Sequence, residues 1–168
     1  FYYWFRVKKE AQMIIKEDGY EDGIDYLSTK FNKIKNPNLK MVFDIANFYK
    51  NAKKYEKAID YYTQIISSLS DKSDMRSDLL YRRGGSYERL GNYEKSDEDL
   101  LHSLRINPDD AYVLNYLAYS WLERDYKIDE AFQMLEKAYA TKSEDPYIID
   151  SIGSVSYTHL RAHETEEN

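Results

Sequence analysis

The chain has 168 residues, 42% of them hydrophobic, and a formal net charge of −6 from 30 acidic and 24 basic side chains. That is enough apolar material for one compact domain or a short repeat array, and no run reaches the roughly 18 apolar residues that a bilayer crossing needs. The absence of cysteine excludes disulfides, thiolate metal sites and cysteine nucleophiles, and the negative balance gives no general attraction to nucleic acid or anionic lipid.

Taken in chain order, residues 1–38 carry a small residue, Ala11, with Ile14 three positions on. GYEDGIDYL then runs from Gly19, with Tyr20, Gly23 and Leu27. Residues 39–76 repeat the layout with Ala46 and Tyr49, then KYEKAIDYY from Lys54, with Tyr55, Ala58 and Tyr62. Residues 77–110 follow with Gly84 and Tyr87, then NYEKSDEDL from Asn92, with Tyr93, Ser96 and Leu100. Residues 111–145 carry Ala118 and Trp121, then DYKIDEAFQML from Asp125, with Tyr126, Ala131 and Leu135. Residues 146–153 begin a further unit, placing Gly153 in the Ala11 column. The two small-residue columns recur at intervals of 35, 38, 34 and 35 and of 35, 38 and 35.

A fixed period near 34 residues marks stacked supersecondary units. Apolar residues at helical spacing, such as Leu114, Leu117, Ala118 and Trp121, make both halves of each unit helices. Small columns beside large ones let helix axes approach to about 8–10 Å. Pro37, Pro108 and Pro146 fall between helices, and Asp110 and Asp145 are placed to cap the helices after them. The Ser- and Asp-rich stretch Ser67 to Ser77 is read as a longer turn that accounts for the 38-residue interval.

These columns resemble the tetratricopeptide pattern W-x-x-L-G-x-x-Y, then A-x-x-x-F, then P. The third unit matches it best, with Leu80, Gly84, Tyr87, Leu100 and Pro108, although Arg83 stands where Leu is usual and Ser96 and Ser103 where Ala is usual. The fourth matches through Leu114, Leu117, Ala118, Trp121, Ala131 and Ala138, and its run into DPYIIDSIG is similar to bacterial members. The first is divergent, with Glu10, Gly23 and Lys30 departing from the pattern. The resemblance implies an all-α fold, a right-handed superhelical solenoid of antiparallel helix-turn-helix (TPR) repeats.

Two terminal features bear on extent. The chain opens on Phe1 rather than Met, so a missing start is expected and the compartment is left open. Residues Val155 to Thr165, VSYTHLRAHET, resemble a translated transposase-type sequencing adapter. Residues 154–168 are therefore expected to be a non-native tail, and His159 and His163 within it are given no metal-binding reading. The resulting truncated last helix predicts self-association at that end.

Resemblance also implies that the first helix of each unit lines a concave groove that takes an extended peptide or a partner helix. Site residues expected there are Phe43, Asn47, Lys50, Tyr81, Arg82, Arg89, Tyr112, Asn115, Tyr116 and Tyr119, an aromatic face of mixed charge. Arg83, toward the core side, is assigned to a pair with a carboxylate of a neighbouring helix. Chaperone-binding members hold C-terminal carboxylates with a Lys, Asn and Arg set. Here only Asn47 matches it, with Phe43, Arg82, Tyr112 and Tyr116 at the other places, which speaks against that ligand mode. No catalytic constellation, metal site or cofactor is read from the chain, and outside the tail His102 is the lone histidine. The alternatives are an RNA-binding helical repeat, which a continuous positive track would favour, and a regulatory or spacer region of a larger enzyme.

Overall fold

The computed structural model describes residues 2–155, so the adapter-like stretch beyond Val155 lies outside the described residues, His159 and His163 with it. The helices are α1 (Tyr2–Glu17), α2 (Tyr20–Phe31), α3 (Leu39–Asn51), α4 (Tyr55–Ile66), α5 (Asp74–Arg89), α6 (Tyr93–Ile106), α7 (Ala111–Glu123) and α8 (Ile128–Thr141). Residues 146–155 are helical to the last described position, and no strand occurs among the described residues. The fold is all-α, built of antiparallel helix-turn-helix units. Two compact units divide within α6, one ending at Asp99 and the other starting at Leu100.

One turn chemistry closes three of the hairpins. The chain leaves α3, α5 and α7 through a left-handed residue: Lys53 at φ 58°, Gly91 at φ 73° and Asp125 at φ 52°. The next amide then reaches back to a carbonyl five residues earlier, Lys54 to Tyr49, Asn92 to Tyr87 and Tyr126 to Trp121, at 2.9 Å in each case. This is the Schellman closure, which satisfies carbonyls that a helix end would otherwise leave orphaned. The aromatic column seen in the sequence thus also marks the turn acceptor. Glycine adopts the left-handed conformation without a Cβ penalty at Gly91, whereas Lys53 and Asp125 hold it with strain. The α1–α2 turn is shorter and runs through Gly19 at φ 101°.

Packing in the first unit follows the small-residue columns. Ala11, Ala46 and Ala58 are fully buried, and Ser96, in the same sequence column as Ala58, is also sealed from solvent. Trp4, Val7, Ile24, Leu27, Ile45, Tyr62, Ile65, Leu79 and Leu80 fill the space between them. Gly23, a departure from the usual Ala, has a physical reason: an added Cβ would sit 2.2 Å from Ile15 Cγ1 and 3.0 Å from the Ala11 carbonyl oxygen. Phe31 of the first hairpin meets Tyr61 of the second edge-on at 5.8 Å, and each ring is backed within its own hairpin, Phe31 by Trp4 at 5.7 Å and Tyr61 by the stacked Tyr49. In the second unit Ala111, Leu114, Ala138 and Ile148 form a core with Leu104, Met134 and Ile152 against it.

The stretch read as a turn from Ser67 to Ser77 ends earlier, because α5 begins at Asp74. Arg76 causes the difference: its Nη1 donates to the carbonyls of Ile66 at 2.8 Å and Leu69 at 3.2 Å, and Nη2 pairs with Asp71 at 3.4 Å. By satisfying the exposed C-terminus of α4, one arginine draws an extra turn onto α5. The expected caps are present. Asp110 accepts from the amides of Tyr112 and Val113, and Asp145 from that of Tyr147.

Candidate peptide-binding faces

In the first unit, α1, α3 and α5 carry a polar constellation. On α3, Phe43, Asn47 and Lys50 stand four and three residues apart, so they share one face. Arg82 of α5 lies over the Phe43 ring with its guanidinium carbon 5.2 Å from the centroid. Its Nε donates to Asp78 at 2.9 Å, and its Nη1 donates weakly to Asn47 Oδ1 at 3.4 Å. The same Asn47 oxygen accepts from the Tyr62 hydroxyl at 2.7 Å, so α4 braces the site from below. Burial pushes that phenol up to about 12. Arg82 stays 32% exposed, held rather than enclosed.

One turn away the face continues onto α1. Asp44 accepts from the Lys8 ammonium at 2.7 Å and from the Trp4 indole at 3.0 Å. Beside this pair opens a cleft of about 290 Å³, lined by Lys8, Gln12, Ile15, Tyr20, Asp44, Asn47, Phe48 and Asn51. Lys8, Gln12 and Tyr62 were not expected from the sequence, Tyr62 because it reads as a core residue of its column. Arg83 is bound as expected for a structural residue: Nε and Nη2 both reach Asp99 of α6 at 2.7 Å and Nη1 reaches Thr63 of α4 at 2.9 Å. Arg89, exposed in the last turn of α5, is not part of the Phe43–Asn47–Arg82 network, and Tyr81 is half-buried next to Arg82.

The face of α7 in the second unit is different. Tyr112 is 39% exposed, its hydroxyl donates to Asp145 at 2.8 Å, and Lys142 lies 5.1 Å from its ring centroid. That hydrogen bond raises the Tyr112 hydroxyl and holds the Asp145 carboxyl below its usual range. Tyr116 and Tyr119 are half-buried, and a hydrogen bond to Glu123 raises the Tyr119 hydroxyl. Asn115 corrects the sequence reading. It is 0% exposed and its Nδ2 donates to Ser151 at 3.0 Å, so it ties α7 to the helical stretch after 146 beneath the face. The helix at 146–155 covers it, which spacing along α7 alone does not reveal.

The family model for the tetratricopeptide repeat matches residues 39–68 and 77–110. Over those two segments the chain matches the tetratricopeptide-repeat family. Phe43, Asn47, Lys50, Tyr81, Arg82 and Arg89 lie within the matched segments, and the α7 tyrosines lie after them. A TPR repeat-containing protein of Pseudomonas aeruginosa is 33% identical over 79 residues, 47% of this chain and 13% of that protein. A second, from Methanocaldococcus jannaschii, is 35% identical over 51% of this chain and 14% of its own length. The chain therefore spans about a seventh of the curated relatives it matches. Among solved structures, a tetratricopeptide repeat protein from Parabacteroides merdae superposes with a TM-score of 0.70 at 17% identity, over 98% of this chain and 63% of that one. The first TPR of Spaghetti, solved bound to the HSP90 peptide SRMEEVD, superposes with a TM-score of 0.62 at 17% identity. That match covers 73% of this chain and 93% of the other. Such identities speak for the shared repeat fold.

Among the described residues no group of three His, Cys, Asp or Glu could hold a metal ion. No helix among them is long and apolar enough to cross a membrane.

Proposed function

We propose that the chain is a protein-interaction scaffold and that the α3–α5 face of its first unit takes an extended peptide or a partner helix. The observation that carries this reading is Arg82, fixed over Phe43 by Asp78 and Asn47 while its outer side stays open beside a polar cleft. A planar cation and an aromatic ring, positioned before any ligand arrives, supply contact area and hydrogen bonds at little ordering cost. Tyr112, Tyr116 and Tyr119 of α7 offer a second, aromatic face, with Asn115 beneath it as a support. Peptide binding by the Spaghetti repeat fits the same use of the fold.

The RNA-binding alternative is disfavoured by charge order. Along the first-unit face Lys8 pairs with Asp44 and Arg82 with Asp78, so the positive charge is interrupted where a phosphate backbone would need a continuous track. No catalytic role enters the proposal.

The test is to pan a random peptide library against the chain and titrate the selected peptides on wild type, Arg82→Ala and Tyr116→Ala. A loss of about fivefold or more, the size of a modest hot spot, supports the α3–α5 face when it appears in Arg82→Ala and the α7 face when it appears in Tyr116→Ala. Unchanged affinity in both variants refutes it.

A further inference from the structure

Charge on the first-unit face does not balance. Lys8, Lys50 and Arg82 are three cations, whereas Asp44 and Asp78 are two carboxylates, and each carboxylate is already engaged: Asp44 by Lys8 and Trp4, Asp78 by Arg82. The surplus charge is on Lys50. It is half-buried, and among the described residues no hydrogen bond or ion pair forms to its ammonium. Burial lowers its affinity for the proton, the neighbouring Arg82 lowers it further, and Asp78 offsets this in part. A half-buried cation that faces another cation costs stability, and within the unit Asp78 recovers that cost only in part.

We propose that Lys50 and Arg82 together form an acceptor for an acidic side chain, Glu or Asp, of a peptide lying along α3 and α5. This rests on the peptide-binding reading above and names the ligand chemistry that reading leaves open. Lys50 stands three residues, about 4.5 Å of helix rise, beyond Asn47, which itself borders the cleft. A chain seated in the cleft therefore presents its next side chain to the two cations. Phe43, under the guanidinium, favours an apolar residue beside the acidic one. The carboxylate would complete the pairing that Asp78 begins, as a charge-assisted contact with an ammonium that has no ion-pair partner among the described residues.

The experiment pans C-terminally amidated random peptides against the full chain. Each selected peptide is then remade with every Glu or Asp changed to Gln or Asn and titrated on wild type, Lys50→Met and Lys50→Arg. The expected result is enrichment of acidic residues and a loss of about tenfold on neutralising one of them, the size of a hydrogen bond to a charged group. Lys50→Met should weaken the acidic peptide by a similar factor but leave its Gln counterpart unchanged, and Lys50→Arg should restore most of the binding. The melting temperature of Lys50→Met should equal or exceed that of wild type, which separates a ligand role from a structural one. Selected peptides without acidic enrichment, or equal losses for acidic and neutral peptides on Lys50→Met, overturn this inference and leave the peptide-binding reading standing. Binding that appears only with a free C-terminal carboxylate also overturns it. Selection of no peptide at all overturns both.

Discussion

The two units fasten successive hairpins by opposite electrostatics. In the first, the links between hairpins involve charged groups: Lys8 and Trp4 to Asp44, Arg82 to Asn47 and Arg83 to Thr63, with Asp78 and Asp99 holding the two arginines inside their own hairpin. In the second, the polar contacts from α7 to the segment ahead come from neutral donors, a buried Asn115–Ser151 hydrogen bond and an exposed Tyr112–Asp145 contact. Ionised links need a partly wet face and leave charge available to a ligand. A neutral amide–hydroxyl pair can be sealed in the core at low cost. The first unit thus carries a face suited to recognition, while the second uses its polar residues mainly for cohesion.

That contrast breaks first at Arg83. Its pair with Asp99 is bidentate, with side chains only 17% and 7% exposed. Arg83→Met strands a buried carboxylate, and denaturant unfolding should show a loss of about 3 kcal/mol. A loss below about 1 kcal/mol would mean that this ion pair is no anchor. In the second unit Asn115→Ala removes one buried neutral hydrogen bond and leaves Ser151 short of a donor, for an expected loss of about 1–2 kcal/mol by the same measurement. A larger loss than at Arg83 would reverse the comparison.

Smaller effects sharpen it. Lys53 closes the α3 hairpin in a left-handed conformation, so Lys53→Gly should stabilise by about 0.5–1 kcal/mol, read as a higher melting temperature. Least is expected of Tyr112→Phe, which removes the donor to Asp145. Because the folded state holds the Asp145 carboxyl low, its stabilising contribution is present above the unfolded value and lost as pH falls through the folded one. In the variant the Asp145 carboxyl, followed by NMR, should titrate closer to an ordinary aspartate and the acid side of the stability curve should flatten. An unshifted titration would place the cause in the amides of Tyr147 and Ile148 instead.

Much of this molecule was legible in the chain. The small and large columns, the 38-residue interval, the caps at Asp110 and Asp145 and the structural pairing of Arg83 all follow from local rules, because helical period, capping and turn chemistry act over a few residues and repeat in register. Asn115 marks where that ends. Spacing on α7 put it with the tyrosines, but its burial depends on the helical stretch 36 positions ahead.

Sequence by itself thus determined the repeat, its resemblance to the tetratricopeptide pattern and which helices carry the candidate faces. Only the tertiary structure decided which polar groups on those helices are satisfied within the unit and which are not. Tyr62 reaches Asn47 from the second helix of its hairpin and Asp44 is taken by α1, while among the described residues Lys50 is left over. Such pairings are set by how helix faces meet between residues 15 to 40 positions apart, a matter of packing geometry that a periodic pattern does not encode.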